Sequence, residues 1–562
     1  MLRSSTSSTS STSSTLRAAL LLLVALRPGP ASAAPLFTVS ADAASIHLEP
    51  NAPAPAGAVA LHAVAVHEAG PDAGNRVARF GPGPLTLPRF HGGRDLLYRR
   101  FVAVDAAGEP LGGGAFVTGL SGLPRLTADI PWPASIKGVS NPVGPEQDLL
   151  DLGVKHVHLN FCLNDLLLPA GAPDPPAAFR LRVDGLTVRL DPSVVAAWDR
   201  RVRPLTEAGV NVVAVVLNRR PGPGRNADLL HPRSGSSRSG GRHRFGAFNT
   251  TDRRGVASFV GALGFLARRY GDPGSGRGLI GGYVIGNEVD AHGAWHDLGP
   301  ASAEEVIAHH AGELRLAWLA VRGASASPRV FTSLTHSWTR PHTADPLASL
   351  PGRRLLGGLT AASRAGGDFG WGVAHHPYPQ QLPDPRFWED ELAVFAFDSP
   401  MITYRNLELL PAWLRLGRNL VGGEPRRVIL SEQGLHTPAG PGGERLQAAA
   451  LALAHHRVER TGGIDAHILH RHVDHPGEGG LRLGLRRAAP QADGSAPYGA
   501  KKRSWFVFRA AGTPAFEREA AFALAHAGYA DWSEADPRPG PFPERADPAG
   551  PDAPGVAPRA RR

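Results

Sequence analysis

The feature that most constrains the fold is a repeated succession of apolar, strand-like runs and amphipathic, helix-like runs after residue 136. We predict strands at residues 136–140, 154–161, 210–218, 280–289, 329–338, 369–379, 426–434 and 464–473. Helical patterns lie between them, of which the clearest begin at Pro192, Val256, Ser302 and Glu444. Eight such repeats predict an α/β fold, a (β/α)8 barrel, over residues 129–515. The alternative, a doubly wound open sheet, usually has a Gly-rich phosphate-binding turn after its first strand, and "IKGVSNPVG" is not such a turn.

The segments on either side of the barrel differ from it in pattern. Residues 34–128 contain short runs with two-residue alternation and closely spaced turn residues, as in "AVALHAVAVHE", which predicts a separate, small antiparallel β-sandwich. Residues 516–532 are assigned to a C-terminal extension of the barrel. Residues 533–562 are rich in Pro and charge and poor in apolar side chains, so we predict a disordered tail.

The N-terminus is typical of a secretory signal peptide. Arg3 and Arg17 precede the short apolar run 18–26, and the small residues Ala31 and Ala33 provide a cleavage signal, so we predict cleavage after Ala33. The expected location is therefore secreted or periplasmic. The apolar run is shorter than the roughly 20 residues that span a bilayer, and we predict no membrane insertion.

The charge of the chain raises the question of a nucleic-acid partner. The formal net charge is +10, with a sequence pI of about 10.3. Almost all of the basic residues are Arg, and Ala, Gly and Pro are abundant as well, which is typical of GC-rich coding. We therefore predict no nucleic-acid partner, while the sequence leaves the oligomeric state open.

Two glutamates occupy the ends of predicted strands on opposite sides of the barrel. The fourth strand, "GGYVIGNEVD", ends with Asn287 and Glu288, and the seventh, "RRVILSEQG", ends with Glu432. Active residues of such barrels lie at the C-terminal ends of the strands. A pair of carboxyl groups at one mouth suits hydrolysis of a glycosidic bond, because one protonates the leaving oxygen and the other stabilises or attacks the anomeric carbon.

These motifs, together with "KGVSNP" and "HHPYP", resemble the retaining glycoside hydrolases of clan A, and more narrowly a bacterial branch whose substrates are not known. The resemblance implies that Glu288 is the general acid/base, that Glu432 is the nucleophile, and that Asn287 binds the sugar 2-hydroxyl. It also implies retention of anomeric configuration, a poly- or oligosaccharide substrate, and a carboxyl separation of about 5 Å.

Further polar residues follow the other predicted strands. The resemblance also implies a His or Tyr after the sixth strand that hydrogen-bonds the nucleophile. We assign this role to His376 and Tyr378 in "HHPYP", because residues two apart face the same side of a strand, the alternative being rings packed beside prolines. Asn and His suit sugar hydroxyls, and Trp suits the apolar face of a pyranose. On that ground the substrate-binding set also includes Asn160, Asn218, His336, Trp338 and His470.

Two other functions remain as alternatives. The run "HRHVDHPGE" contains His470, His472, Asp474 and His475, which would be the ligands of a metal-dependent hydrolase. No fixed zinc motif such as H-E-x-x-H occurs, so we predict neither a metal nor a cofactor. The second alternative is a carbohydrate-binding barrel without turnover. The Arg-rich loop 219–250 follows the third strand and is interpreted either as a lid or as a flexible insertion.

Overall fold

The computed structural model of the chain describes residues 35–51, 59–81, 83–144, 146–220, 226–236, 245–489 and 498–544. The predicted signal peptide at residues 1–33 and the predicted tail from residue 545 onward lie outside the described residues. None of the helices in these ranges has both the length and the apolar character needed to cross a membrane.

Eight parallel strands close into a barrel in the order of the chain, which confirms the predicted fold class. Barrel strands 1 to 8 are Lys137–Ser140, His156–Cys162, Asn211–Leu217, Ile280–Ile285, Arg329–Leu334, Gly372–His375, Val428–Gln433 and Ile464–Leu469. Several are shorter than predicted, because the polar residues that follow them turn out of the sheet. Strand 4 ends at Ile285, so Asn287 and Glu288 lie just beyond it.

Helices follow the strands and cover the outside of the barrel. The helices are Glu146–Asp151, Leu163–Leu166, Pro192–Glu207, Arg253–Arg269, His292–Trp295, Ala303–Ala324, Gly352–Ala365, Leu409–Leu414, Gly443–Arg460, Arg503–Ala510, Phe516–Ala520 and Phe522–Ala527. The longest begins at a capping box, in which the Ser302 hydroxyl accepts a hydrogen bond from the backbone of Glu305 and the Glu305 carboxylate accepts one from the backbone of Ser302.

Apolar side chains fill the inside of the barrel. Val215, Val284, Phe331 and Ile429 belong to one buried cluster that lies inside the strands. Trp132 packs against this cluster, with its ring 6.2 Å from that of Phe331. The interior is therefore a packed core, with polar side chains at the two ends of the strands, such as His156 and Asn211 at the N-terminal end.

The N-terminal domain contains two four-stranded sheets. Their strands are Phe37–Asp42, Ser45–Pro50, Leu85–Pro88 and Gly119–Gly122 in one sheet, and Val59–Val64, Arg76–Phe80, Arg100–Val104 and Ala115–Phe116 in the other. The two-residue strands Phe90–His91 and Arg94–Asp95 pair separately. These sheets confirm the predicted small β-domain before the barrel, in which one pair, Gly119–Gly122 with Phe37–Asp42, is parallel and not antiparallel.

The N-terminal domain is joined to the barrel by a buried ion pair. Asp184 lies at the turn of a hairpin, Phe179–Val183 with Leu186–Leu190, inserted between barrel strand 2 and its helix. Its Oδ2 lies 2.6 Å from Nη2 of Arg99, and both side chains are at most 4% exposed. The other oxygen accepts a hydrogen bond from the backbone of Asp95. The two domains therefore share a desolvated interface.

The C-terminal segment 533–544 is ordered, so the prediction of a disordered tail from residue 533 was wrong for these residues. The Asp536 carboxylate lies 2.7 Å from Nε2 of His456. The carbonyl of Pro543 accepts a hydrogen bond from Phe397, and Glu544 pairs with Arg353. Although segment 533–544 has few apolar residues, it is held on the barrel because side chains and backbone groups of the barrel form ion pairs and hydrogen bonds with it.

Candidate active site

Glu288 lies in a tight turn directly after barrel strand 4. Its φ of 41° is in the left-handed region, which a residue with a side chain rarely adopts and which costs about 1–3 kcal/mol. Its backbone nitrogen donates a 3.0 Å hydrogen bond to Oγ of Ser333 on strand 5. The side chain is 11% exposed. The turn therefore fixes the carboxylate at the end of the strand.

A second carboxylate, absent from the predicted set, stabilises this turn. Asp290 is fully buried and accepts hydrogen bonds from the backbone nitrogen and the hydroxyl of Thr335, at 2.9 and 2.5 Å. Burial raises its pKa to about 7. Its position two residues after Glu288 was the only signal in the sequence.

His376 connects the two glutamate-bearing strands. Its Nδ1 lies 2.9 Å from Oε1 of Glu288, and its Nε2 lies 2.9 Å from Oγ of Ser431, the residue before Glu432. Burial lowers the pKa of His376, but the hydrogen bond to Glu288 and the charge of Glu432 raise it more, so the net shift is upward. The protonated form of the ring is therefore stabilised relative to that of an ordinary imidazole.

Glu432 is the carboxylate at the end of strand 7. The hydroxyl of Tyr378 donates a 3.2 Å hydrogen bond to its Oε1. Burial raises the pKa of Glu432, but the charges of His470, His376 and His158, together with the Tyr378 hydroxyl, bring it below its ordinary value of 4.5. The group is therefore ionised at neutral pH, as a nucleophile must be.

His158 on strand 2 is a site residue that the prediction missed. It is buried, its Nδ1 lies 2.9 Å from the carbonyl of Ser431, and its Nε2 lies 2.7 Å from Oδ1 of Asn160. The predicted residue Asn160 is therefore held at the mouth by a histidine that itself borders Glu432. The alternation of "HVHLN" places both residues on one side of the strand and was the available signal.

His470, predicted at the end of strand 8, also borders Glu432. Its Nδ1 lies 2.8 Å from Oγ of Ser140 at the end of strand 1. Its Nε2 lies 3.3 Å from Oε1 of Glu478, whose pKa the hydrogen bond to His470 lowers to about 2. Glu478, in the loop after strand 8, was not predicted, because no local pattern distinguishes it.

Asn287 and His336 complete the predicted residues that lie near the mouth. Asn287 is 7% exposed, and its side chain makes no hydrogen bond to another residue of the described ranges. His336 is half-buried, with Nδ1 3.0 Å from the carbonyl of Tyr378. The amide of Asn287 thus has its hydrogen-bonding capacity available.

Trp338 and Asn218 were predicted to bind substrate, and the structure places both in the interior. Trp338 is 2% exposed, donates a 2.8 Å hydrogen bond to the carbonyl of Phe397, and packs edge-on against Trp413. Asn218 is fully buried and donates to the carbonyl of Leu229 in the following loop. The prediction was wrong because neither side chain has a face that a sugar can reach.

The histidines after strand 8 do not converge on a metal. His472 is bound to Asp148 at 2.6 Å, and Asp474 accepts a 2.7 Å hydrogen bond from Lys502. His475 is exposed and contacts only its own turn, where it accepts from Gly477. In the described part of the chain these residues have separate partners, so the metal-hydrolase alternative built on them was wrong.

The Arg-rich loop after strand 3 is described only in part, since residues 221–225 and 237–244 lie outside the described residues. Arg219 lies 3.0 Å from Asp165, and Arg233 lies 3.2 Å from Glu305. These two arginines therefore already have acidic partners within the protein.

A family model described as "Family of unknown function (DUF5722)" matches residues 129–535. A search of curated proteins gives no match. Among solved structures, the chain resembles a family 39 glycoside hydrolase from the gut symbiont Bacteroides cellulosilyticus WH2, with 12% identity, a TM-score of 0.45, and coverage of 85% of this chain and 79% of that chain.

Two β-glucosidases are also similar in structure. For the hyperthermophilic enzyme from Pyrococcus furiosus the identity is 14%, the TM-score 0.43, and the coverage 68% of this chain and 86% of that chain. For the family 1 enzyme from Thermotoga maritima the identity is 12%, the TM-score 0.41, and the coverage 65% and 85%.

Proposed function

The chain belongs to the DUF5722 family, and we propose that it is a glycoside hydrolase that cleaves O-glycosidic bonds with retention of anomeric configuration. One observation carries the proposal. Glu288 and Glu432 lie at the ends of barrel strands 4 and 7, and the segment directly after strand 6 provides each with its own partner, His376 for the first and Tyr378 for the second. Two carboxylates in different surroundings are what acid and nucleophile roles require.

In the first step, Glu432 attacks the anomeric carbon while Glu288 protonates the leaving oxygen. The C–O bond to the leaving group breaks, and an ester bond forms between the sugar and Glu432. The lowered pKa of Glu432 keeps it ionised for this attack.

In the second step, Glu288 acts as a base. It removes a proton from water, the resulting hydroxide oxygen attacks the anomeric carbon, and Glu432 leaves as a carboxylate. The sugar is released with its original configuration, and Glu288 is again protonated. Support for Asn287 as the partner of the sugar 2-hydroxyl is that its amide makes no hydrogen bond to another described residue.

We further propose that the substrate is a poly- or oligosaccharide outside the cytoplasm. The support is the sequence of residues 1–33, which has the charged, apolar and small-residue parts of a signal peptide. Expression of the full chain in a bacterial host, followed by fractionation and N-terminal sequencing, tests this. A mature protein that begins at Ala34 outside the cytoplasm is expected, and retention of an uncleaved chain in the cytoplasm contradicts it.

The activity is tested with a panel of aryl glycosides and polysaccharides, using the wild-type chain and the variants E288Q and E432Q. The wild-type chain is expected to hydrolyse at least one substrate, and both variants are expected to bind that substrate while losing turnover. A barrel that only binds carbohydrate gives a different result: the wild-type chain binds sugar without turnover, and neither substitution changes the product yield.

A further inference from the structure

A group of buried histidines surrounds one buried glutamate behind barrel strands 4 and 5, outside the candidate active site. Oε2 of Glu313 lies 2.8 Å from Nε2 of His296 and 2.7 Å from Nδ1 of His310. The three ligand atoms all lie within 4.8 Å of one another. Their side chains are 3%, 1% and 0% exposed for His296, His310 and Glu313 respectively. None of these residues has a role in the proposed catalytic mechanism or belongs to the sequence motifs described above.

The donor set is that of a transition-metal site. Two imidazole nitrogens and one carboxylate oxygen suit Zn²⁺ better than Ca²⁺ or Mg²⁺, which prefer oxygen ligands. Zinc binds these atoms at about 2.0–2.2 Å, so the ligand atoms of a tetrahedral site lie a little more than 3 Å apart. The observed spacings of 2.8 and 2.7 Å need to widen by only about half an ångström to admit the ion.

The atoms of His310 and Glu313 that would not coordinate the ion are hydrogen-bonded to other residues, as is usual for metal ligands. The second nitrogen of His310 lies 2.9 Å from Oγ1 of Thr332 on barrel strand 5, a contact that fixes the orientation of the ring. The second oxygen of Glu313 accepts a 2.9 Å hydrogen bond from the backbone of Phe248 and contacts His309 at 3.1 Å. Each of these two ligands is therefore held at its far end.

Further nitrogen donors lie in the same two segments. His292, four residues before His296, is 1% exposed, and both of its ring nitrogens are buried without a hydrogen-bond partner in the described part of the chain. Its nitrogens are not among the ligand atoms that lie within 4.8 Å of one another, so coordination by His292 would require its ring to move toward the group. His309 is the other candidate, since its Nε2 already contacts Glu313.

We propose that His296, His310 and Glu313 form a closed structural site for one divalent transition-metal ion, with Zn²⁺ as the ion that the donor set suits best. Because all three ligands are buried, the fourth coordination position would be filled from within the protein and not by a substrate, which distinguishes the site from a catalytic one. His296 belongs to the loop after Glu288, whereas His310 and Glu313 belong to the helix Ala303–Ala324. The ion would anchor that loop to the barrel wall.

Metal content is the first test. The mature chain is produced without an affinity tag in zinc-containing medium and purified without chelators, and its metals are measured by mass spectrometry. About one equivalent of zinc per chain is expected. Removal by a chelator should lower the thermal midpoint by several degrees, and ZnCl₂ should restore it. Zinc below about a tenth of an equivalent, with no shift of the midpoint on adding ZnCl₂, overturns the proposal.

Variants identify the ligands. H310Q and E313Q are expected to lose the zinc and the response of the midpoint to ZnCl₂, whereas the control H475Q, at an exposed histidine outside the group, is expected to keep both. If H310Q and E313Q fail to fold, the wild-type chain before and after chelation still decides the question. Retention of a full equivalent of zinc in H310Q and E313Q contradicts the assignment of these ligands.

Discussion

The hydroxyl of Tyr378 donates a hydrogen bond of 3.2 Å to Oε1 of Glu432, while His376, two residues earlier, contacts Glu288 at 2.9 Å. The end of one barrel strand therefore reaches both carboxylates. The Tyr378 hydroxyl and the charges of the neighbouring histidines lower the pKa of Glu432 and favour its ionised form, whereas the contact of Glu288 is with one imidazole. This division of partners underlies the assignment of Glu432 as nucleophile and Glu288 as acid.

Removal of the Tyr378 hydroxyl should raise the pKa of Glu432, because that hydroxyl lowers it. In Y378F the acid limb of kcat/KM should therefore move to higher pH, since ionised Glu432 is needed for attack. A hydrogen bond to a charged group contributes about 1.5–3 kcal/mol, so kcat/KM should fall about 10- to 100-fold. The matched control is Y404F, whose hydroxyl contacts His467 instead. An unchanged acid limb in Y378F contradicts the assigned contact.

The loss of activity on removal of the Glu288 carboxyl group should depend on the leaving group of the substrate. In E288Q, substrates with poor leaving groups should lose about 10²–10⁴-fold in kcat/KM, because their oxygen must be protonated as it departs. Dinitrophenyl glycosides need no such help and should lose far less. The two substrate types are compared by steady-state kinetics. Equal losses on both types would show that Glu288 does not protonate the leaving oxygen.

Asn287 should matter only when the sugar has a 2-hydroxyl. We expect N287A to reduce kcat/KM about 10-fold or more on the natural sugar, since transition-state hydrogen bonds to this group contribute several kcal/mol. A 2-deoxy analogue, which lacks the group, should show little further loss in the variant. An equal loss on both sugars would assign Asn287 to the support of the protein backbone instead.

Trp338 should affect stability and not substrate binding. W338F removes the hydrogen bond to Phe397 and part of a fully buried side chain, so the free energy of unfolding should fall by about 1–3 kcal/mol. KM should stay unchanged at temperatures at which the variant is folded. A raised KM with unchanged stability in urea denaturation is the result that a sugar-stacking role would give.

The ion pair between Arg99 and Asp184 should be sensitive to removal of one partner. R99M leaves the Asp184 carboxylate with only the more distant Arg253, whose Nε lies 3.5 Å away, so the cost should approach the about 3–5 kcal/mol of a broken buried pair without exceeding it. The double variant R99M/D184N removes the charge as well and should recover part of this stability. Urea denaturation of the three chains measures both effects. A double variant less stable than R99M would contradict the explanation.

The barrel and its two glutamates were predictable because both depend on local sequence. Strands in a parallel barrel are buried on both faces and read as apolar runs, as "VNVVAVVL" does, and a polar residue that ends such a run falls at the mouth. Glu288, Glu432, His376 and Tyr378 were found in this way. Their catalytic roles remain predictions that these experiments test.

The errors concern residues whose surroundings depend on distant parts of the chain. Trp338 lies beyond the end of strand 5, and its backbone donates to the carbonyl of Pro400, which turns the ring inward. The histidine group around Glu313 joins a loop and a helix, so only the spacing of His310 and Glu313 on one helix face hinted at it. The segment 533–544 is ordered by partners that its composition does not reveal.

The identity of the nucleophile is the most direct test of the account. A 2-deoxy-2-fluoro glycoside of the sugar that the wild-type chain hydrolyses traps the covalent intermediate, and digestion followed by tandem mass spectrometry locates the modified residue. We expect one label per chain, on Glu432, and none in E432Q. A label on another residue would contradict the assignment of Glu432 as nucleophile. Hydrolysis with inversion of configuration, without inactivation by the fluoro sugar, would contradict the retaining mechanism.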